Sequence, residues 1–117
     1  MKKLTILPVF IISLLIFSGC KYDFILPEEV PVVNDVKFST QIVPILVEKC
    51  VLCHSSQAPV LTSDVAYTQL VPSYVNTAAP SSSKLYTVPT SGTHGATVSA
   101  AQAALILQWI AEGAKNN

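Results

Sequence analysis

Residues 55–98 constrain this chain more than any other stretch: they join two segments of clear helical periodicity, yet carry Pro59, Pro72, Pro80, Pro89 and runs of Ser and Thr. A connection that long inside a compact domain is abnormal unless it wraps something. The segment before it reads as a helix, with Ser39 or Thr40 as cap, Pro44 in the opening turn, and Ile42, Ile45, Leu46 and Lys49–Cys50 at three- and four-residue spacing. The segment after it begins at Ser99, where Ser99-Ala100-Ala101-Gln102 has the capping-box pattern. Ala103, Ile106, Ile110 and Gly113 or Ala114 then line one face, widened by Leu105 and Trp109. Two short helices are expected inside the connection, near residues 63–70 and 82–86. With no internal repeat or strand ladder visible, the expected class is all-α, two terminal helices linked by long Pro-rich loops. The folded part, residues 37–117, has about 80 residues, a size at which a purely hydrophobic core is marginal. A buried cofactor would solve that problem.

The motif that names a cofactor is Cys50-Val51-Leu52-Cys53-His54, the Cys-x-x-Cys-His pattern of covalent c-type haem attachment. Each position has a chemical reason. Two thiols add across the two vinyl groups of the porphyrin, and a helical turn with two intervening residues spaces the sulfurs to match. The next residue then lies beneath the iron, so the His54 imidazole can serve as proximal axial ligand. Covalent attachment also holds a cofactor in a domain too small to enclose it. Three other chemistries compete for these residues. A Cys50–Cys53 disulfide would close too small a loop to constrain the chain much. A thioredoxin-like dithiol needs a strand-helix-strand context that the sequence lacks. A zinc site from Cys50, Cys53 and His94 lacks a second cysteine pair, and His54 beside Cys53 is badly placed to join it.

The run Phe38-Ser39-Thr40-Gln41-Ile42-Val43-Pro44-Ile45-Leu46 leading into Cys50–His54 resembles the small monohaem cytochrome c domains of bacterial lipoproteins. Residues 105–114, Leu-Ile-Leu-Gln-Trp-Ile-Ala-Glu-Gly-Ala, resemble the same family's ending. The resemblance implies a cytochrome c-like fold, in which the N- and C-terminal helices cross and the haem lies in a loop-lined crevice. Family members commonly place a methionine before the last helix as second axial ligand. Here the only methionine is Met1, so this chain departs from the pattern. His94, the only other histidine, stands in the corresponding loop five residues before Ser99 and is the expected distal ligand. An open or water-bound iron, or ligation by Lys84 or a tyrosine, are the alternatives. Trp109 and Phe38 are expected as packing aromatics, Tyr67, Tyr74 and Tyr86 as core or porphyrin neighbours, and Glu48 and Lys49 as the solvated face of the first helix.

The N-terminus reads as an export signal over residues 1–19: Lys2 and Lys3 precede an apolar stretch from Leu4 to Phe17, then Ser18 and Gly19. Fourteen helical residues span roughly 21 Å, short of the roughly 30 Å hydrocarbon core. Phe17-Ser18-Gly19-Cys20 resembles the lipobox of bacterial lipoproteins, although Phe17 stands where Leu is usual. That resemblance implies lipidation of Cys20, and it accounts for an odd number of cysteines in an exported chain. Residues 20–36, with Pro27 and Pro31, are expected to form an extended tether. Without the signal, five lysines face seven acidic residues, a formal charge of −2. No basic tract survives, which argues against a nucleic-acid partner.

These readings converge on an exported, lipid-anchored haem protein of the bacterial cell envelope, on the periplasmic side or the outer membrane. The expected function is single-electron transfer between redox partner proteins. No acid, base or nucleophile constellation beyond the haem suggests an enzyme. The alternative is a five-coordinate haem domain that binds or senses a small ligand such as NO or CO, and the sixth iron ligand separates the two.

Overall fold

The computed structural model describes residues 34–117, and every regular element among them is helical. A π-helical turn at Phe38–Ile42 runs directly into α1 (Val43–Lys49), followed by α2 (Val51–His54), α3 (Ala66–Leu70), a 3-10 turn at Pro80–Ser82, α4 (Lys84–Thr90) and α5 (Ala100–Ala111). The expected all-α class holds for these residues. The export signal and most of the tether lie outside them.

The start of the first helix differs from the sequence expectation. Ser39 and Thr40 are already inside it, and Lys37 precedes it with extended backbone. The Gln41 side chain accepts the Lys37 N–H at 2.8 Å. Two further N–H groups are capped from the other end of the chain: Phe38 donates to the Asn117 side-chain oxygen (2.9 Å) and Ser39 to the Asn117 main-chain oxygen (2.9 Å). Pro44 explains why the opening turn is wide. It has no N–H, and its ring crowds the carbonyl four residues back, so the regular ladder starts only at Val43.

What ties the two ends together is aromatic packing and one carboxylate. The Phe38 ring lies 5.2 Å from Trp109 and meets Tyr67 edge-on at 5.3 Å, centroid to centroid. Trp109, Ile42, Leu46, Leu70, Ile106 and Ile110 are fully buried around them. The polar ends of the two larger rings are satisfied: Trp109 Nε1 donates to Lys115 O and Tyr67 OH to Ala114 O, both at 2.9 Å. Truncating a buried aromatic such as Trp109 costs about 3–5 kcal/mol, a large share of what a domain this small can hold. Glu112 accepts the N–H groups of Val36 (2.7 Å) and Asp35 (3.0 Å), so the end of the tether region docks on α5 and Val36 is buried. The Gln108 amide foremost, with the Val36 N–H next, holds the Glu112 carboxyl below its ordinary range. A carboxyl depressed in this way stabilises the fold above its unfolded-state value, and the contribution fades as pH falls through the lowered one.

Helix α5 begins as its sequence predicts. Ser99 Oγ accepts the Gln102 N–H (3.1 Å) and the Gln102 side chain accepts the Ser99 N–H (2.9 Å), a complete capping box. At the other end Gly113 has φ +97° and Ala114 φ +49°. The Ala114 N–H reaches Trp109 O (2.9 Å) and the Gly113 N–H reaches Ile110 O (3.0 Å), the paired bonds of a Schellman cap. Gly113 is therefore the left-handed stop, a conformation glycine adopts without steric cost. Ala114, buried beneath Trp109's turn, completes the apolar stripe.

The long connection is stitched to itself. Ser83, buried and polar, accepts the Asn76 N–H through its hydroxyl at 2.9 Å, and the Asn76 side chain accepts from Ala78 and Ala79 (3.1 Å each). The Leu85 N–H returns to Tyr74 O at 3.0 Å. The two short helices expected here are present with shifted bounds: α3 starts three residues late, and α4 starts two residues late and continues to Thr90 with Pro89 inside it, where the ladder gives up one N–H.

Candidate functional site

The connection encloses a cavity of about 210 Å³ whose lining is nearly all apolar. Pro59, Leu61, Leu70, Leu85, Val88, Pro89 and Val98 form its walls, and Cys50, His54, His94, Tyr74, Lys49 and Lys84 bring the chemistry. It is smaller than the roughly 300–1,000 Å³ that encloses a drug-sized ligand. A planar group as large as a porphyrin would lie partly outside it, which is the situation that covalent attachment serves.

Cys50 ends α1 and begins α2, so one kink in the backbone sets the motif. The Cys53 and His54 N–H groups both return to Cys50 O, at 3.1 and 2.9 Å, winding the turn that places Cys50 and His54 on the cavity wall. Cys53 is exposed and stands outside the lining. Both thiols are free, and burial pushes the Cys50 thiol above its ordinary pKa. A redox-active dithiol depends on a depressed value and a strand-helix-strand setting. Cys50 is shifted the other way, and no strand occurs among the described residues. Nor do three His, Cys, Asp or Glu side chains converge there into a cage that would hold a metal ion alone. Haem asks less of the protein, since the porphyrin supplies four ligands and the chain at most two.

The two histidines meet. Their rings are nearly parallel, 17° apart, with centroids separated by 6.1 Å. The two rings face one another as an offset stack. The pair brings two imidazole donors from distant parts of the chain to one wall of the cavity, where they could hold a haem iron. His54 is also held in the right tautomer for such a role. Its Nδ1 faces Pro59 O at 3.0 Å and Gln57 O at 3.3 Å, so the proton belongs on Nδ1 and the Nε2 lone pair is left available. Among the described residues Nε2 makes no hydrogen bond. His94 is held less firmly: its Nδ1 has only Ala96 N and Ala96 O, each at 3.4 Å.

The sequence reading of Lys49 needs correction, because it does more than solvate a helix face. It pairs with Glu48 at 2.8 Å and lines the cavity beside Cys50. Lys84 lines the cavity too, with its ammonium 5.9 Å from the centre of the Tyr74 ring. Trp109 and Phe38 stand in the core, away from the lining, as packing aromatics. None of the helices among the described residues is long and apolar enough to cross a membrane. Comparison of the chain with protein-family models, with curated proteins and with solved structures finds no match.

Proposed function

We propose that this chain is a c-type cytochrome: it binds one haem through thioethers to Cys50 and Cys53, takes His54 and His94 as axial iron ligands, and carries single electrons between redox partner proteins. The observation that carries the reading is the pair of near-parallel imidazoles, 6.1 Å apart, lining one apolar cavity that Cys50 also lines. The attachment motif and the histidine opposite it are far apart in sequence, so their meeting at one cavity is independent support. A cytochrome c-like arrangement is supported as well by the packing of the Phe38 turn on α5 and by a cavity wall to which loop residues such as Pro59, Leu61, His94 and Val98 contribute.

Haem iron supplies the chemistry, accepting and releasing one electron between its ferric and ferrous states. The chain supplies the setting. Cys50 and Cys53 fix one edge of the macrocycle. Pro59 O orients His54, and a carbonyl partner of this kind raises the basicity of the ligating nitrogen. Leu61, Leu70, Leu85 and Val98 keep water from the iron and lower the local dielectric. Two imidazoles in place of an imidazole and a thioether favour the ferric state, so the potential falls below that of His/Met cytochromes. The test is an absorption spectrum of the purified protein, oxidised, reduced and CO-treated. Sharp low-spin haem c bands in both oxidation states, unchanged by CO, are expected. A colourless protein from cells that mature other c-type cytochromes would overturn the assignment.

The same reading places the domain at a bacterial envelope membrane through a lipid on Cys20, with residues 20–36 as tether. Cys20→Ser is expected to move the protein from the membrane to the soluble fraction or to leave the uncut precursor, while haem content stays unchanged. A membrane-bound wild type whose mature N-terminus is unmodified and lies well past Cys20 would remove the anchor from the proposal.

A further inference from the structure

Resting on the haem reading, we infer that Lys84 and Tyr74 form the seat for the carboxylates of the bound tetrapyrrole. A second recess of about 450 Å³ adjoins the apolar cavity and has the opposite character, with Asn76, Thr77, Ser82 and Ser83 in its wall. Only Tyr74 and Lys84 line both. Cys50, His54 and His94 line the first alone. An apolar slot and a polar recess that share one lysine and one tyrosine in their walls match a flat apolar ring with an anionic edge.

Connectivity and charge agree with that orientation. The vinyl groups of haem sit on two neighbouring pyrroles and the propionates on the other two, so anchoring the vinyl edge at Cys50 and Cys53 sends the carboxylates away from them. Two lysines reach the cavity. Lys49 stands next to Cys50 and already has Glu48 at 2.8 Å. Lys84 has no carboxylate partner among the described residues; its ammonium lies 5.9 Å from the Tyr74 ring. Much of the recess's own polarity is spent internally: the Ser83 hydroxyl and the Asn76 carboxamide oxygen are taken up by backbone N–H groups. The Lys84 ammonium is the one cation in the walls of both spaces without a carboxylate partner among the described residues, the Tyr74 hydroxyl stands beside it as a further donor, and a hydrogen bond to a charged oxygen is stronger than a neutral one. Lys84 therefore serves as a positioning cation for the cofactor's edge and not as an iron ligand.

Resonance Raman spectroscopy of the holoprotein reads this contact directly, because the propionate bending band moves up with stronger hydrogen bonding to the carboxylates. Lys84→Met is expected to shift that band down with haem attachment and the low-spin marker bands unchanged. Lys84→Arg should restore most of the shift, Tyr74→Phe should give a smaller downward shift, and Lys49→Met should leave the band in place. Lys84 is exposed, so its replacement leaves the core untouched. A pigmented Lys84→Met protein with an unmoved band overturns this inference alone, as does a shift in Lys49→Met instead. A high-spin Lys84→Met protein makes Lys84 an iron ligand and overturns both this inference and the role given to His94. Absence of pigment in the wild type takes away the haem reading and this one with it.

Discussion

Produced with a cytochrome c maturation system, the Cys50→Ala/Cys53→Ala double variant is expected to lose all haem that survives denaturing electrophoresis, whereas the wild type keeps a stained band at its own mobility. The double variant removes both thioether bonds, and any residual pigment should extract into acidified organic solvent. Each single variant keeps one bond and should stain weakly. The two are not equivalent, because Cys50 is half-buried on the cavity wall and Cys53 is exposed. Loss of Cys50 leaves a gap against the macrocycle as well as a missing bond, so it should also lower thermal stability more than loss of Cys53. His54→Ala keeps both thiols but removes the proximal nitrogen that Pro59 O orients, and normal holoprotein should fail to accumulate. A wild-type band that loses its colour on denaturation would reduce the motif to a coincidence of spacing.

That motif is legible in sequence because attachment chemistry is local: two sulfurs and one nitrogen must lie within a single helical turn, and a single turn is written in consecutive residues. The capping box of α5 is legible for the same reason, since Ser99 and Gln102 exchange bonds three residues apart. The start of the first helix is not. Its N–H groups are capped by Asn117 and the tether region is pinned by Glu112, partners more than seventy residues distant, so the local preference for Ser39 or Thr40 has nothing to decide. Gly113 shows a finer failure. Periodicity places either Gly113 or Ala114 on the buried stripe, and only the reversal of the chain at a left-handed glycine brings Ala114 inward. The charged residues at the cavity are the hardest to see beforehand. Lys49 reads as solvated because a helical wheel places it beside Glu48, and its position at the cavity depends on the kink at Cys50 between α1 and α2. The meeting of His94 with His54 depends on the whole fold of residues 55–98, including the bonds through Asn76, Ser83 and Tyr74, and no sequence period encodes it.

His94→Ala is expected to convert a low-spin, CO-inert protein into a high-spin one that binds CO readily, and this is the largest change a single substitution outside the attachment motif should produce. The two imidazoles, 17° from parallel and 6.1 Å apart, are the chain's two histidines and both line the cavity. In the proposed holoprotein both histidines would bind the iron, and CO would have to displace His94 to enter. His94 is the displaceable partner: its Nδ1 has only contacts of 3.4 Å with Ala96, whereas His54 is held by Pro59 O at 3.0 Å and flanked by both cysteines. Removing the His94 imidazole empties the sixth position without touching the core, since the residues around it from Ser91 to Thr97 are exposed or half-buried. The variant should therefore keep its covalent haem, and stopped-flow mixing with CO should show uptake that the wild type lacks or performs only slowly. Its reduction potential should rise, because a strong donor to ferric iron has gone. His94→Met should raise the potential further while holding the iron low-spin, with a thioether-to-iron charge-transfer band that the wild type does not have. A wild type that is already high-spin and takes up CO as fast as His94→Ala would leave His94 a loop residue, and the domain would then read as a five-coordinate binder of small ligands.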